Sequence, residues 1–458
     1  MKRDLFILRK GFDIRLAGVP VREVADATSP GTSALCLSGF PELKLRLLVK
    51  EGDWIKRGAP LLEDKRIDGL RFCAPAGGRI RAVVYGPRRS IERMEIDGDD
   101  SGATETLPHW ESEEIRKVPR ADLLASLLGS GALCLIRRRP FSRIADPAVV
   151  PKSIFVNAMN TAPFRVDSQV AVSGEEKAFR AGLDGLTRLT DGCVHVCVSP
   201  EQAAQFEPLI PSDRVRLHAF RGRHPAGNTS VHIHHLDPIR PGDTVWTISA
   251  ADLVLVGRLL LDGVLPATRI VSLGGPGVRV EHRRHYRVRL GASLQALLKD
   301  RLCSGENRVV EKDVLSGTLL AADGYLAWGV SSLTVLPEGR QSVFLGWMLP
   351  GLFQFSHSRL LLSTWFRPFT RWNHTTNMHG GLRAMVATGL YDQFLPMRIL
   401  TDFLVRAVLA KDTEEAVQLG LLETDPEDFA LAAFACPSKM DLVEIIRKGL
   451  EDVEAEGL

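Results

Sequence analysis

Near residue 103 the hydrophobic pattern of the chain changes, and this change is what most constrains the fold. From there to about residue 255, segments with helical spacing alternate with short apolar segments: RADLLASLLGSG precedes ALCLIRR, and EEKAFRAGLDGLTRLT precedes CVHVCVS. Such alternation is typical of an α/β layer with a largely parallel sheet, and SIFVNAM has the continuous apolar character of a strand covered on both faces. The pattern predicts a Rossmann-like α/β domain over residues 103–255.

This predicted domain lacks the glycine fingerprint of a dinucleotide site. The candidate segment GSGALC, which begins at Gly129, follows a predicted helix and precedes a predicted strand, the reverse of the required order, and its third glycine is missing. The chain also has no Walker loop and no Gly-x-Ser-x-Gly motif. We therefore expect the Rossmann-like architecture without a nucleotide site.

Residues 1–102 are rich in short alternating strands. The stretch EGDWIKRGAPLLEDK is similar to the biotinyl/lipoyl-carrier fold, in which a Gly-Asp turn, a basic crossover and a second glycine connect two strands. Gly52 and Asp53 suit the turn because glycine adopts positive φ and aspartate hydrogen-bonds to nearby backbone. The segment RFCAPAGGRIRAVV supplies the matching half, so we expect a barrel-sandwich domain.

Lys65 ends the same stretch and is the one candidate for a covalent cofactor. A carrier lysine sits at the tip of a tight hairpin midway between the two halves, whereas Lys65 follows Gly58 closely and precedes the looser RIDGLRF. We interpret it as a solvated loop lysine. A lipoyl or biotin attachment is the alternative.

The remaining chain divides at about residue 335. Residues 256–335 contain further predicted strands in TRIVSLGGPGV and YRVRLGASLQALL, and residues 336–458 are predicted to be helical. Three pairs of polar residues have the spacing of helix N-caps, where a side chain satisfies orphan backbone donors. These pairs are Asp412 with Glu415, Asp425 with Asp428, and Ser438 with Asp441.

Length and composition indicate a folded chain of several domains. With 458 residues it exceeds the size of one hydrophobic core, and its 45% apolar and 25% charged content is that of a globular protein. The N-terminus lacks the continuous apolar region of a signal peptide, and every apolar stretch is shorter than the roughly 20 residues of a membrane helix. We expect neither a signal peptide nor a transmembrane helix.

The cysteines give no sign of a metal or redox centre. Seven are dispersed along the chain, and none forms a CxxC motif. Zinc ribbons, iron–sulfur clusters and thioredoxin-like chemistry therefore lack their usual ligand spacing. Reduced thiols in a cytosolic compartment are the expectation.

Histidines within RHPAGNTSVHIHHLDP are the candidate metal ligands. His232 and His234 are two residues apart and would lie on one face of a predicted strand, with His224 and His235 nearby. Zinc needs further ligands, and no spaced cysteine or carboxylate stands out. We interpret them as hydrogen-bonding histidines and retain a zinc enzyme built on His232 and His234 as the alternative.

A basic stretch, RVEHRRHYRVR at residues 279–289, contains five arginines and two histidines. Nucleic acid could bind such a patch, but the net charge of the chain is only +3. Arginines also alternate with apolar residues, as they do on the exposed face of a strand. We expect no nucleic-acid partner and favour a docking surface.

A second arginine-rich stretch, RRRPFSRI at residues 137–144, follows a predicted strand. Arg139, Pro140, Phe141 and Ser142 would form a loop there that faces a polar-headed aromatic ligand or a partner protein. Arginine can stabilise a developing oxyanion by charge-assisted hydrogen bonding, and phenylalanine supplies an apolar wall. An arginine-rich loop at a domain junction is the alternative.

Many segments, in order over nearly the full chain, resemble the A-subunit family of the bacterial sodium-translocating NADH:quinone oxidoreductases (Na+-NQR). They include KGFDIRLAG, FCAPAGGRI, RRPFSRI, IFVNAMNTAP, HPAGNTSVHIH, ADLVLVGRLLLDG, RIVSLGGPGV and LGLLETDPEDFALAAFACPSK. The sequence departs from the family pattern at Asn160, where Asp is usual, and at Ala251, where Gln is common.

The resemblance implies a peripheral protein on the cytoplasmic face of the bacterial inner membrane. It would dock on a membrane-embedded partner within a six-subunit pump that passes electrons from NADH to ubiquinone and exports sodium. Its implied parts are a barrel-sandwich domain, a Rossmann-like domain, a β-grasp soluble-ligand-binding (SLBB-like) domain and a C-terminal helical domain. Ubiquinone would be the ligand, no cofactor would be tightly bound, and FMN, riboflavin, FAD and iron–sulfur centres would lie on the five partners.

Within that family the chain would have no catalytic residue or redox centre of its own and would be inactive alone. We expect it to contribute to the quinone-reducing end, where ubisemiquinone becomes ubiquinol, and to complex assembly. Arg139, Pro140, Phe141 and Ser142 are the residues expected to face the quinone or a partner. The alternative is a stand-alone carrier-like or assembly module without quinone contact.

Overall fold

Four β-sheets, the helices of the second and third regions, and a C-terminal group of helices make up the described part of the protein. The computed structural model describes residues 4–28, 31–37, 39–40, 43–99, 102–341, 344–358 and 360–457. Within these ranges no helix has both the length and the apolar character needed to cross a membrane.

The N-terminal region contributes strands to all four sheets. In chain order they are β1 (Asp4–Ile7), β2 (Val21–Asp26), β3 (Thr32–Cys36), β4 (Leu45–Leu47), β5 (Trp54–Ile55), β6 (Pro60–Asp64), β7 (Arg71–Cys73), β8 (Gly78–Tyr85) and β9 (Ile91–Gly98). A four-stranded sheet has the order β3-β9-β8-β5, and a three-stranded sheet has the order β4-β6-β7. Gly78 is required where β8 meets β9, because a Cβ there would lie 2.0 Å from the backbone oxygen of Asp97.

The second region is the expected α/β layer. Its elements are α1 (Arg120–Ser130), β10 (Arg137–Arg139), β11 (Arg143–Ile144), β12 (Ser153–Asn157), α2 (Ser168–Val172), α3 (Glu176–Leu189), β13 (Val194–Val198), α4 (Ala203–Phe206), β14 (Val215–Arg221), α5 (Thr229–Leu236), β15 (Val245–Ser249) and α6 (Ala250–Asp262). The sheet has the order β1-β14-β13-β12-β15-β10-β11. Strands β1, β14, β13, β12 and β15 are parallel, and β10 and β11 are antiparallel to their neighbours.

The direction of strand addition reverses within this sheet. From β12 the chain proceeds through β13 to β14 on one side, and then β15 pairs with the other side of β12. The carboxyl-terminal ends of β12 and β15 therefore flank the topological switch point. Helices α3 and α6 pack closely enough that a Cβ on Gly257 would lie 1.7 Å from the backbone oxygen of Ala178.

The third region forms a six-stranded sheet of order β19-β18-β20-β16-β17-β2. Its elements are β16 (Thr268–Gly274), β17 (Arg284–Arg289), α7 (Leu294–Leu298), β18 (Asn307–Glu311), β19 (Leu319–Leu320) and β20 (Ser332–Pro337). Strand β2 forms one edge by pairing in parallel with β17.

The C-terminal region contains α8 (Ser363–Phe366), α9 (Thr401–Ala410), α10 (Thr413–Gln418), α11 (Ala430–Ala435) and α12 (Leu442–Glu456). Its core is continuous with one face of the α/β sheet, through Phe155 and Phe220. The expectation that the chain becomes helical directly after residue 336 is wrong. Apart from α8, single 3-10 turns and an isolated β-bridge at Trp372, the described residues of 338–400 are irregular, and the longer helices begin at Thr401.

The domain boundaries expected from linear patterns do not follow the pairing of strands. Strands β1 and β2 precede residue 102, yet they extend the α/β sheet and the third sheet. The expected boundary at residue 255 falls inside α6. Local composition could not show the pairing of β1 and β2, because their partners lie far away in the chain.

Two of the three predicted caps are confirmed. The side chain of Asp412 accepts from the backbone N–H of Glu415, and Asp425 forms a capping box with Asp428. The third is wrong, because Asp441 caps α12 while Ser438 donates to the backbone oxygen of Ala384.

Candidate functional site

A cavity of about 480 Å³ opens at the carboxyl-terminal ends of β12 and β15. Asn157 ends β12 and Ser249 ends β15, and both residues line the cavity. Open α/β sheets bind ligands in the crevice at such a switch point. Trp328 from the third region and the segment from Asp425 to Glu427 line other walls. The fold thus places a ligand-sized cavity where α/β folds favour one.

Three of the four residues predicted to face a quinone or partner line this cavity. Arg139 ends β10, and residues 140–142 form the turn into β11; Arg139, Phe141 and Ser142 line the cavity, whereas Pro140 is outside its lining. Phe141 (φ 77°) and Ser142 (φ 52°) adopt the left-handed region. For residues other than glycine this costs of order 1–3 kcal/mol each, and the surroundings must hold the conformation.

An ion pair with the C-terminal region holds the turn. Arg139 Nη1 lies 2.6 Å from a carboxylate oxygen of Asp425, and Ser142 Oγ donates to the same carboxylate. Arg139 is only 6% exposed. Burial by itself would raise the pKa of Asp425, but the attraction of Arg139 and the hydrogen bond from Ser142 outweigh it and hold the pKa below its ordinary value.

A second guanidinium, that of Arg165, lines the cavity from the loop after β12. Its Nε lies 2.6 Å from Asp313, and its Nη2 lies 3.5 Å from Glu427. Burial raises the pKa of Asp313, but Arg165 and two backbone N–H groups outweigh burial, so the pKa falls to about 2. No sequence pattern singled out Arg165 or Asp313, because their proximity depends on the docking of two regions.

A 3-10 turn at Pro426–Phe429 brings three carboxyl groups together. Asp428 accepts from Asn228 Nδ2 at 2.9 Å and from the backbone N–H of Asp425 at 2.8 Å. Burial, and then the charges of Asp425 and Glu427, raise the pKa of Asp428 to about 7. Burial and Asp425 likewise raise the pKa of Glu427. The sequence showed Asp425 and Asp428 only as cap residues.

Three polar atoms in the cavity wall have no hydrogen-bond partner among the described residues. They are Arg139 Nε, Trp328 Nε1 and Glu311 Oε2. The other carboxylate oxygen of Glu311 accepts from Thr318 at 2.5 Å. Buried polar atoms are normally paired, so this wall offers two donors and one acceptor to a ligand or to water.

Helix α12 closes one side of the cavity. Glu454 accepts from Arg143 Nε at 2.9 Å and from Arg143 Nη2 at 2.7 Å, and Arg138 Nη2 lies 3.4 Å from it. These contacts tie α12 to the β10–β11 hairpin. The cavity is therefore assembled from all four regions of the chain, since Gly39 and Phe40 of the N-terminal region also line it.

The histidines predicted on a strand lie on a helix instead. His232 and His234 belong to α5, whose preceding residue, Asn228, has extended backbone. The alternation of valine, isoleucine and histidine suits a strand, but a segment this short takes its conformation from its packing. His232 Nε2 contacts the backbone oxygen of Ala226 at 3.0 Å, and His234 Nδ1 lies 2.6 Å from Glu423. The described residues hold no group of three or more potential metal ligands of the His, Cys, Asp and Glu types.

The two remaining candidates lie away from the cavity. Lys65 is exposed in the turn that connects β6 to β7, and this turn is shaped by Asp64, which accepts from the backbone N–H of Arg66 at 2.5 Å. In the basic stretch 279–289, Arg287 lies 3.1 Å from Asp26 of β2. Part of the positive charge of this stretch is thus matched by acidic residues of the adjoining edge strand.

Comparison with known proteins gives the same order of domains. The NqrA N-terminal barrel-sandwich hybrid domain matches residues 6–99, the NqrA second alpha/beta domain matches residues 118–265, and the NQRA C-terminal domain, an SLBB-type model, matches residues 270–322.

Curated relatives match over nearly their whole length. The A-subunit of the Na(+)-translocating NADH-quinone reductase of Yersinia pseudotuberculosis is 39% identical over 98% of this chain and 99% of the relative. The chain belongs to this NqrA family. Members from Klebsiella pneumoniae and Alcanivorax borkumensis are 38% and 35% identical, with the same coverage.

Membership in the NqrA family confirms the resemblance drawn from the sequence motifs. The barrel-sandwich, α/β and SLBB-like parts of the expected fold are confirmed as well. The relatives are named as part of an NADH-quinone reductase, which is an oxidoreductase complex. Among solved structures, an NAD+-reducing [NiFe]-hydrogenase aligns with a TM-score of 0.36 and 17% identity over 51% of this chain and 52% of that chain, which is too distant to bear on function.

Proposed function

We propose that this chain is a peripheral component of a Na+-translocating NADH:ubiquinone reductase that binds the ubiquinone head group in the cavity between β12 and β15. It serves the quinone-reducing end of the complex and its assembly, and it has no redox centre of its own. The observation that carries the proposal is the placement of Arg139, Phe141 and Ser142 on the wall of a 480 Å³ cavity at the switch point of the sheet.

The chemistry of the wall suits a quinone ring. The two carbonyl oxygens of a quinone accept hydrogen bonds, and Arg139 Nε and Trp328 Nε1 are donors without a partner among the described residues. Phe141 and Trp328 line the same cavity, and aromatic rings prefer offset or edge contacts with another flat ring. Because Arg139 Nη1 is engaged by Asp425, its Nε–H is the atom that we assign to the ligand.

The C-terminal region supports the proposed role in assembly. The described residues of 344–386, here called the apolar segment, expose large hydrophobic side chains: Phe344 is 88% exposed, Leu360 83% and Phe369 84%. An exposed apolar surface of this kind marks an interaction site. We assign it to the membrane-embedded partner, which would place the chain at the cytoplasmic face of the inner membrane.

Flavin and iron–sulfur centres belong, in this proposal, to the five partner subunits. The chain itself handles the quinone, and the electrons arrive from these partners.

Quinone binding is tested by titrating the purified chain with a short-chain ubiquinone and following tryptophan fluorescence. Bound quinone should quench Trp328, so Trp328→Phe should lose the largest part of the saturable signal. Phe141→Ala should raise the Kd by up to about tenfold, since an aromatic contact contributes roughly 0.5–1.5 kcal/mol. Phe353→Ala, in the apolar segment, is the matched control and should bind as the wild type does. Unchanged affinity in both Phe141→Ala and Arg139→Ala would refute the assignment of the cavity.

Assembly is tested by placing an affinity tag on this chain and solubilising the membranes in mild detergent. Flavin-bearing membrane partners with NADH:quinone activity should co-purify, and replacement of Phe344, Leu360 and Phe369 by serine should reduce their recovery. Recovery of the lone chain without partners would favour a stand-alone module. Mass analysis of Lys65 would then show whether a carrier group is attached.

A further inference from the structure

A cluster of buried charges beside the cavity contains more acidic than basic groups. Two guanidiniums, those of Arg139 and Arg165, contact Asp425 and Asp313 at 2.6 Å each, and Glu427 lies 3.5 Å from Arg165. Asp428 is 1% exposed, and its hydrogen-bond donors among the described residues are uncharged: the side-chain amide of Asn228 and the backbone N–H of Asp425.

Charge balance determines the protonation of the cluster. If all four carboxyl groups were ionised, the two guanidiniums would leave an excess of two negative charges in a region of low dielectric constant, and protonating one carboxyl halves that excess. Asp425 and Asp313 are held ionised by their partners. Glu427 and Asp428 are therefore the two carboxyl groups of the cluster that are suited to carry a proton, in agreement with the raised pKa of each.

The groups that face Asp428 come from several elements. Asp425 and Glu427 belong to its own turn, Arg139 to the end of β10 and Asn228 to the residue before α5. Other charged groups lie further from Asp428. They are the pair Arg165 and Asp313, the exposed Lys312, and Glu454 of α12 with its partners Arg138 and Arg143.

The cluster opens on the cavity through Glu427. Glu427 lines the cavity and its side chain is 31% exposed, whereas the next residue, Asp428, is 1% exposed and is not part of the lining. The wall of the same cavity also contains two polar atoms that have no hydrogen-bond partner among the described residues, Arg139 Nε and Glu311 Oε2. Both side chains are more than nine-tenths buried. A ligand that meets these atoms sits beside Glu427, a carboxyl group whose pKa is raised.

We propose that Glu427 and Asp428 store one proton and supply it, through Glu427, to a carbonyl oxygen of the quinone as that quinone is reduced. This inference rests on the proposed function. A quinone takes up two electrons and two protons to become a quinol, and the electrons come from NADH through the partner subunits. The carboxyl O–H bond of Glu427 breaks while one quinol O–H bond forms; the second proton comes from solvent, and solvent then reprotonates the carboxyl pair.

The proton store is tested on the purified chain without any quinone. Infrared difference spectra between pH 6 and pH 8 should show loss of a protonated-carboxyl C=O band in the wild type. Asp428→Asn should abolish or shift this band, and Asp452→Asn, which removes an exposed carboxyl from α12, should leave it unchanged. Absence of the band from the wild type would overturn the proposal.

The transfer is tested on the whole complex by the pH dependence of quinol formation. Above about pH 7 the wild-type kcat should fall about tenfold per pH unit, because one proton is required. Glu427→Gln should lower kcat about tenfold or more and flatten its pH dependence, while the KM for quinone stays within about twofold of the wild-type value. Asp452→Asn is the control and should behave as the wild type. A wild-type pH profile in both Glu427→Gln and Asp428→Asn would overturn the inference.

The two proposals can fail separately. If ubiquinone does not bind while the infrared band persists, the proposed function fails and the transfer fails with it, although the carboxyl pair is still protonated. If ubiquinone binds and quenches Trp328 but the band is absent, only the proton store fails.

Discussion

Arginine 139 is expected to hold the cavity together by a buried ion pair, and replacing it tests that. Arg139→Met keeps the length of the side chain and removes its charge. In the native chain the Arg139 side chain is 6% exposed, that of Asp425 is 13% exposed, and the two charged groups lie 2.6 Å apart. The variant would leave a largely buried carboxylate without its cation.

Loss of one partner from a buried pair costs about 3–5 kcal/mol of unfolding free energy. Asp425 would keep hydrogen bonds from Ser142 and from the backbone N–H of Glu427, so we expect the lower end, about 3 kcal/mol. Asp425→Asn retains the cap, because asparagine is also a favoured N-cap residue. The double variant Arg139→Met with Asp425→Asn should therefore be destabilised by only about 1 kcal/mol.

The measurement is urea unfolding of the purified chain, followed by circular dichroism and tryptophan fluorescence, with a double-mutant cycle. The exposed pair Arg287 and Asp26 is the control, and Arg287→Met should cost less than about 1 kcal/mol. If Arg139→Met costs no more than the control, or the coupling energy in the cycle is near zero, the pair does not hold the cavity and the reasoning is refuted.

Three further predictions follow from packing and from pKa shifts. Gly257→Ala should destabilise the chain by about 3 kcal/mol in the same urea assay, since its Cβ would lie 1.7 Å from the backbone oxygen of Ala178; a change below about 0.5 kcal/mol would contradict this. The pKa of Asp313 is depressed to about 2, so the stability that its ionised form contributes is complete above about pH 4 and is lost as pH falls through about 2. Acid unfolding of the wild type should show this loss, about 2 kcal/mol, and acid unfolding of Asp313→Asn should not. The pKa of Asp428 is raised to about 7 in the folded chain, so this carboxyl ionises at lower pH in the unfolded chain than in the folded one. The free energy of unfolding should therefore fall as pH rises from about 4 to about 7, by up to about 1.4 kcal/mol per pH unit. Urea midpoints of Asp428→Asn should not show that decline.

Elements with a long and regular pattern could be predicted from the sequence. Helices α1 and α3 and strands β12 and β13 lie where apolar spacing places them. The caps at Asp412 and Asp425 were predictable for the same reason, because a cap depends on residues three positions apart. Proximity in sequence was sufficient for these features.

Short or ambiguous segments could not be predicted in the same way. The pattern in α5 suits a strand, yet the segment is a helix whose Val231 and Ile233 share a core with Phe155 of β12. Strands β1 and β2 look like the start of one N-terminal domain, yet each completes a sheet formed mainly by later residues. Pairing over such distances depends on partners that local propensity does not contain.

Motifs of neighbouring residues were sufficient to identify the family, the order of domains and the turn that carries Arg139 and Phe141, because such motifs can be recognised along the chain. The tertiary structure alone decided what surrounds that turn: Arg165, Asp313, Asn228 and Asp428 come from four separate segments and meet beside the cavity. Their charge states arise only on burial, since the pKa of a carboxyl group depends on the solvent it loses and the charges that it gains as neighbours.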